Sequence, residues 1–270
     1  MRLYKTVRFA LITIIVLFFA FPIVWLVASS LLPGYKGVYV FRTVGFTLEN
    51  FHKIWDWPGF RNALKNAVII ATIATFLSLI ITLPSGYVLG RFKDKFSKSW
   101  FTSIYIVRTI PFITWVLPLF LLYRKIGLYD TYQGLILPHL ACHLAFFSLV
   151  IKGYFEAIDL EIEDAAQIDG CSRWGAFFHV SVPLALPAII SLAVLCWMWA
   201  WNEFFFALML TSYRVPMLTV ILIQGFGEYR TDWEMMSAGA VLGIAPAFIV
   251  TIVAAKHLIK GLAKLGTMAK

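Results

Sequence analysis

Two ionisable residues lie inside long apolar runs: Arg108, between Ser99 and Tyr123, and Glu203, in the segment W-N-E-F at 201–204. A charge in hydrocarbon is costly, so such groups are expected to face a bundle interior or a watery cavity. His139 and His143 stand four residues apart, on one face of a helix, which is metal-ligand spacing. No Asp or Glu lies near enough to complete a set and Cys142 points elsewhere, so no metal site is read. The cysteines Cys142, Cys171 and Cys196 form no C-x-x-C pair and encode neither a disulfide framework nor a zinc site. H-E-x-x-H and G-x-S-x-G, convergent sets that a membrane-embedded enzyme would use, do not occur. A third group of charges is denser: from Asp159 the chain reads D-L-E-I-E-D-A-A-Q-I-D-G.

These groups need elements to hold them. Of the 270 residues, 61% are hydrophobic and 14% charged, where a soluble domain has roughly 45–50% and 25%. Too little polar surface remains to face water all round, and an all-α integral membrane protein is expected. Six stretches approach the roughly 20 apolar residues that cross a bilayer. They are Phe9 to Leu32, Asn66 to Gly90, Ser99 to Tyr123, Thr131 to Ile151, the run from Pro183 to Leu210, and Met235 to Ala255. In lipid such runs must be helical, because only helices satisfy their own backbone polar groups there. Pro22, Pro84, Pro111, Pro118, Pro138 and Pro246 mark places where these helices can kink. Arg2, Lys5 and Arg8 precede the first run as in a signal peptide. Its apolar core, however, exceeds the roughly 7–15 residues of a signal and no Ala-x-Ala follows, so it reads as a retained anchor.

The net charge of +9 sits at the ends of the apolar runs and not on a face interleaved with exposed aromatics, which argues against nucleic acid. It orients the chain instead. With the N-terminus inside, thirteen Lys and Arg fall on inner segments, among them the Arg91–Lys98 loop and the tail Lys256, Lys260, Lys264 and Lys270, against nine outside. Both termini are expected in the cytoplasm.

On that orientation residues 153–183 are cytoplasmic, and they form the most polar stretch. Asp159 is placed to cap a helix, with Glu161, Glu163 and Asp164 in its first turns, where acids favour the positive end of the dipole. Gly170 is placed to end it in a left-handed conformation. Ser172 then caps a second helix with Trp174, Phe177, Phe178 and Val182 at helical spacing, and Pro183 and Pro187 turn the chain back. Ala165 and Ala166 let another surface approach closely, and the acids offer partners to Arg or Lys. The hairpin suits docking in a groove of a cytoplasmic protein; a solvated loop with ordinary caps is the alternative.

The segment D-A-A-Q-I-D-G, followed after nine residues by V-S-V-P, resembles the cytoplasmic "EAA" loop of ABC importer permeases, E-A-A, three residues, G, nine residues, I-x-L-P. Asp164, Ala165, Ala166, Gly170, Val180, Val182 and Pro183 fall on the pattern, with Asp164 for Glu and the two valines for Ile and Leu. F-T-L-E-N-F (46–51), W-N-E-F (201–204) and K-G-L (260–262) are similar to the maltose-transporter branch, which serves carbohydrate importers, and the resemblance extends over nearly the whole chain. It implies a type I ABC importer permease fold of six transmembrane helices. Residues 1–8 would be a cytoplasmic N-terminus, 9–32 the first helix and 33–61 an extracellular or periplasmic loop. Residues 62–258 would be the permease domain with a coupling loop at 154–183, and 259–270 a basic cytoplasmic tail.

The resemblance further implies the cell membrane of a bacterium or archaeon. The implied partners are a second homologous permease, two copies of a nucleotide-binding ATPase and an extracellular or periplasmic solute-binding protein, with a sugar or polyol as cargo. The chain has no G-x-x-x-x-G-K-[ST] phosphate loop and no Gly-Lys dipeptide. ATP and Mg are therefore expected on the partner ATPase, with no cofactor and no catalytic residue on this chain. Glu163, Asp164, Ala165, Ala166, Asp169, Gly170, Arg173 and Pro183 are the implied coupling residues. In the spans two readings stand. In one, Asn202 and Glu203 line the translocation path, Trp199 and Trp201 stack on sugar faces, and Arg108 joins them. In the other, Glu203 pairs with Arg108 or another inter-helix donor and fixes packing. The segment Thr211 to Trp233 and the first outer loop are candidates for touching the binding protein. A secondary transporter working without an ATPase is the alternative; it would show inverted repeats and broken helices over more spans.

Overall fold

The computed structural model describes residues 2–33, 45–224 and 232–268, with side chains over 4–33, 45–224 and 232–255. Among the described residues every regular element is helical. The chain runs through α1 (Arg2–Ser30), α2 (Glu49–Trp55), α3 (Phe60–Arg91), α4 (Lys95–Thr109), α5 (Ile113–Ile126) and α6 (Tyr132–Glu156). It continues through α7 (Leu160–Ile168), α8 (Arg173–Ala176), a π-helical turn at Phe177–Ser181, α9 (Val182–Asn202), α10 (Phe205–Leu210), α11 (Leu218–Gln224) and α12 (Trp233–Met268).

The centre of the bundle is α3. Ala63, Ala67, Ala71, Ala74, Ser78, Thr82 and Gly86 recur on one face and are buried, so α6 can pack close against it. Near the far end of that contact a Cβ on Gly86 would meet Ile151 and the backbone of Ser148 and Lys152. The apolar core lies in two groups along the bundle, one around Ile54, Phe60, Trp201 and Leu210, the other around Tyr87, Phe147, Phe155 and Leu192. In contrast α1 packs along α12 and leaves Phe9, Phe18, Phe19 and Phe21 exposed. That is the composition of a surface meant for lipid or another apolar chain.

Among the described residues five helices are long and apolar enough to cross a membrane, or six if α4 and α5 together count as one. The third run is not the continuous helix from Ser99 to Tyr123 that its composition suggests. It breaks between α4 and α5, which are bent by 94°. Pro111 has no N–H to continue the ladder and disfavours helical geometry in the residue before it, and Ile110 is extended at φ −78, ψ 121. The fifth run is interrupted too: α9 stops at Asn202 and Glu203 is extended at φ −68, ψ 132 before α10 begins. Glu203 thus sits at a break and not within a helix. Of the residues expected in the outer loops, 34–44 and 225–231 lie outside the described residues, as do the side chains of the basic tail from Lys256.

One turn is fixed by a residue that the sequence did not single out. Asp130, at φ 58, accepts hydrogen bonds from the backbone N–H groups of Ser212, Arg214 and Val215 at 2.8, 2.9 and 3.1 Å. It ties the α5–α6 connection to the turn after α10.

Candidate functional site

The loop between α6 and α9 is the hairpin its sequence suggests, with one cap differing. Asp159 occupies the N-cap position of α7 but makes no side-chain cap bond. The Ser172 hydroxyl does accept from the Gly175 N–H at 3.1 Å. Gly170 is left-handed at φ +94, and the Cys171 N–H closes the turn on the Ala166 carbonyl at 3.0 Å. Nothing lies within 4 Å of where a Cβ on Gly170 would stand. Asp164, Ala165 and Asp169 are exposed and Ala166 is half-buried. Around them Leu160, Ile162, Trp174 and Phe178 are exposed, and Ile168 is 86% exposed. Arg173 is exposed, its guanidinium 5.5 Å from the Phe92 ring centre.

Glu163 points the other way. Its side chain is 4% exposed and that of Arg91, on the last turn of α3, 6%. The carboxylate accepts from Arg91 Nη2 at 2.6 Å and Nε at 3.0 Å, from the Ser181 hydroxyl at 2.6 Å and from the Tyr87 hydroxyl at 2.8 Å. Burial pushes the Glu163 carboxyl up, but the hydrogen bonds from Ser181, Arg91 and Tyr87 and the Arg91 charge outweigh it and hold the group below its ordinary value. Of the acids expected to offer charge outward, Glu163 is therefore not free to do so. It joins α3, α7 and the π turn at one point. The π turn itself follows from Pro183. A proline there lacks its N–H and crowds the carbonyl four residues back, and one wider turn, with the Val182 N–H reaching the Phe177 carbonyl, accommodates it.

A second region forms where α4 breaks from α5. A cleft of about 140 Å³ opens there, with Arg108, Phe112, Trp115, Phe146 and Trp199 among its lining. The Arg108 guanidinium sits 4.7 Å from the Phe146 ring centre, close enough for a cation–π contact. It does not pair with Glu203. That carboxylate accepts instead from the backbone N–H groups of Phe206 at 2.8 Å and Ala207 at 3.1 Å, capping α10. Of the pairings that the second reading allows, the one with Arg108 is not formed, and the Glu203 carboxylate caps α10 instead. Trp199 contacts Phe112 and Phe146 at 6.4 and 5.5 Å between ring centres. Trp201 is buried and stacks on Trp197 at 4.8 Å and 11°. Asn202 is exposed, its amide donating to the Met198 carbonyl at 2.7 Å. Of the five path candidates, the structure brings Arg108 and Trp199 to the cleft and leaves Trp201, Asn202 and Glu203 out of its lining.

His139 and His143 are buried, and a ring nitrogen of His143 lies 2.8 Å from the Ser78 hydroxyl. Among the described residues no group of three possible ligands surrounds a metal position. Tyr87, Arg91 and Ser181, the partners of Glu163, were not legible as a site. Arg91 reads as one more basic loop residue, and only its opposite charge to the α7 acids hints at a pairing.

The comparisons with known proteins bear on the family and the fold. Residues 82–264 match the family described as "Binding-protein-dependent transport system inner membrane component". The chain is 31% identical over 263 residues to the sulfoquinovosyl glycerol transport system permease protein SmoH of Agrobacterium fabrum, covering 96% of this chain and 92% of that one. It is 32% identical over 270 residues to the arabinooligosaccharides transport system permease protein AraQ of Halalkalibacterium halodurans, covering 95% and 93%. In fold it is similar to a chain of a bacterial ABC transporter involved in the import of the acidic polysaccharide alginate. There the TM-score is 0.81 at 24% identity, over 94% of this chain and 96% of that one.

Proposed function

The chain belongs to the family of binding-protein-dependent transport system inner membrane components, and from that premise we propose that it forms half of a transmembrane pathway for a sugar or related polyol. In this reading α4 and α5 together make one of six spans, both termini are cytoplasmic, and the hairpin at 159–183 faces the cytoplasm. A second homologous permease completes the pathway, and two copies of an ATPase carry ATP and Mg. A solute-binding protein delivers cargo from outside. The sugar class follows from the relatives, named for sulfoquinovosyl glycerol, arabinooligosaccharides and, at 28% identity, trehalose. Membership in a binding-protein-dependent family sets aside the ATPase-independent alternative.

The observation that carries the reading is the division of labour on α7. Asp164, Ala165 and Asp169 face outward beside exposed Leu160, Ile162 and Ile168, while Glu163 is locked inward. An apolar rim with acids and small residues is what a groove on a partner can grip. Closure of the ATPases would pull on 163–170 and rock the spans between outward- and inward-open states. The test is purification of the tagged chain with whatever accompanies it, followed by an ATPase assay. A second permease and a nucleotide-binding subunit are expected to copurify. Gly170→Asp is expected to insert in the membrane yet abolish transport. Normal uptake by that variant, or a stable partner-free chain that transports by itself, would sink the proposal.

A further inference from the structure

The cleft at the α4–α5 break carries more information than the family does. Arg108 lies thirteen residues past the start of α4 at Lys95, about 20 Å along the helix at 1.5 Å per residue. Arg108 is exposed at the last turn of α4, and if α4 and α5 form one span, as proposed above, the charge falls within an apolar run, where it ordinarily has a partner. Among the described residues Arg108 has no carboxylate at ion-pair distance; the three pairs found are Lys53–Glu49, Arg91–Glu163 and Lys152–Glu156. Glu203, the acid in the neighbouring broken span, is committed to the Phe206 and Ala207 N–H groups. Among the described residues the guanidinium lies against the Phe146 ring, which satisfies none of its five N–H donors.

The backbone points the same way. Residues 110–112 are non-helical between two apolar helices, and unwound backbone at membrane depth is tolerated where it is buried in protein or lines a watery cavity. Here it lines the cleft, together with Thr109, Trp115 and Trp199. Aromatic walls offer flat apolar faces to the C–H face of a sugar ring, and a guanidinium offers a two-pronged donor to a carboxylate, sulfonate or phosphate.

We propose that the cleft between Arg108 and Trp199 is a subsite for an anionic sugar. The ring would lie against Trp199 and Trp115, and the acidic group would accept from the free N–H edges of Arg108. The inference rests on the permease reading above and adds to it the charge of the cargo. A neutral sugar would leave the Arg108 charge uncompensated.

The assembled complex, reconstituted in nanodiscs, tests this by tryptophan fluorescence titration with four probes: glucuronate, glucose 6-phosphate, sulfoquinovose and glucose. At least one anionic probe should bind about tenfold or more tighter than glucose, the worth of a charge-assisted hydrogen bond. Arg108→Gln should remove that preference while changing glucose binding less than about twofold, and Arg108→Lys should keep part of it. High salt should weaken only the anion. Equal binding of all four probes, or an equal loss of all four in Arg108→Gln, overturns the proposal. So does an Arg108→Gln complex that falls apart, which would assign the guanidinium to an acid of the sister chain. A wild-type complex that hydrolyses ATP yet shows no charge preference refutes the subsite and leaves the permease reading standing. Recovery of no ATPase partner refutes the permease reading itself.

Discussion

Replacing Glu163 by alanine leaves Arg91 buried at 6% exposure with its charge and no counter-ion. Breaking one partner of a buried pair costs about 3–5 kcal/mol. Arg91 ends α3 and can regain some water when the loop loosens, so the lower figure applies. At 1.36 kcal/mol per decade, about 3 kcal/mol is a factor of about 150 in the population of the opened loop. Amide hydrogen exchange over 160–170, followed by mass spectrometry on the assembled complex, reads that population directly. Glu163→Ala should speed exchange there about 100-fold and leave α3 and α6 unchanged. Glu163→Gln keeps the volume and an acceptor oxygen but loses the charge, and about tenfold is expected. The double variant Arg91→Met, Glu163→Met leaves no charge unpaired and should return within several-fold of the native rate.

Because the Glu163 carboxyl is held below its ordinary value of 4.5, its contribution is fully present above that pH and is lost as pH falls through the lowered folded value. Loop protection, corrected for intrinsic exchange, should be flat from neutral pH down to about 5 and fall only in stronger acid. The loop is therefore anchored independently of pH under physiological conditions. Exchange in Glu163→Ala within threefold of native, or a double variant as fast as the single, would refute the claim that this ion pair holds the hairpin.

At Gly170 the positive φ and the open space around it make opposite demands. Gly170→Ala adds little bulk at about 1 kcal/mol of backbone strain, whereas Gly170→Asn tolerates the left-handed region but projects a side chain into the proposed docking face. Uptake assays should find alanine the milder change if docking matters and asparagine the milder if strain does; the first is expected. Gly86→Ala would press a methyl onto Ile151 and the α6 backbone and should lower thermal stability in detergent by about 1–3 kcal/mol. Gly153→Ala, with nothing within 4 Å, should be neutral or slightly stabilising. Asp130→Ala removes the acceptor for three backbone N–H groups and should cost about 3 kcal/mol in the same melt, while Asp130→Asn keeps one acceptor and the positive φ at smaller cost.

Composition and helical periodicity were enough to place the long apolar helices, the left-handed Gly170 and the Ser172 cap, because each depends on residues close in sequence. The break at Pro111 was only half legible. Proline signals a kink, but a membrane helix often absorbs one, and α3, α6 and α12 run through Pro84, Pro138 and Pro246 without ending. What differs at Pro111 is tertiary: Phe112 packs on Trp199 and Phe206 from the neighbouring broken run, and the two interruptions are stacked against each other. Long-range pairings were out of reach for the same reason. Glu163 and Arg91 are 72 residues apart, and a list of charged residues does not say which acid of D-L-E-I-E-D turns inward.

Once that choice is known, the two regions of interest become ends of one object. Ser181 donates to Glu163 at the base of α9, and Trp199 lines the cleft near its other end. Between them α9 is a single helix, about 25 Å long from Val182 to Trp199 at 1.5 Å per residue. Arg91 anchors the same carboxylate to α3, the helix packed most closely against α6, which supplies Phe146 to the cleft. If the hairpin couples as proposed, its displacement would reach Trp199 and Phe146 through helices and not through loops. This route needs no soft intermediate, and it accounts for why the most buried charge of the hairpin is spent on an internal bond and not on a partner.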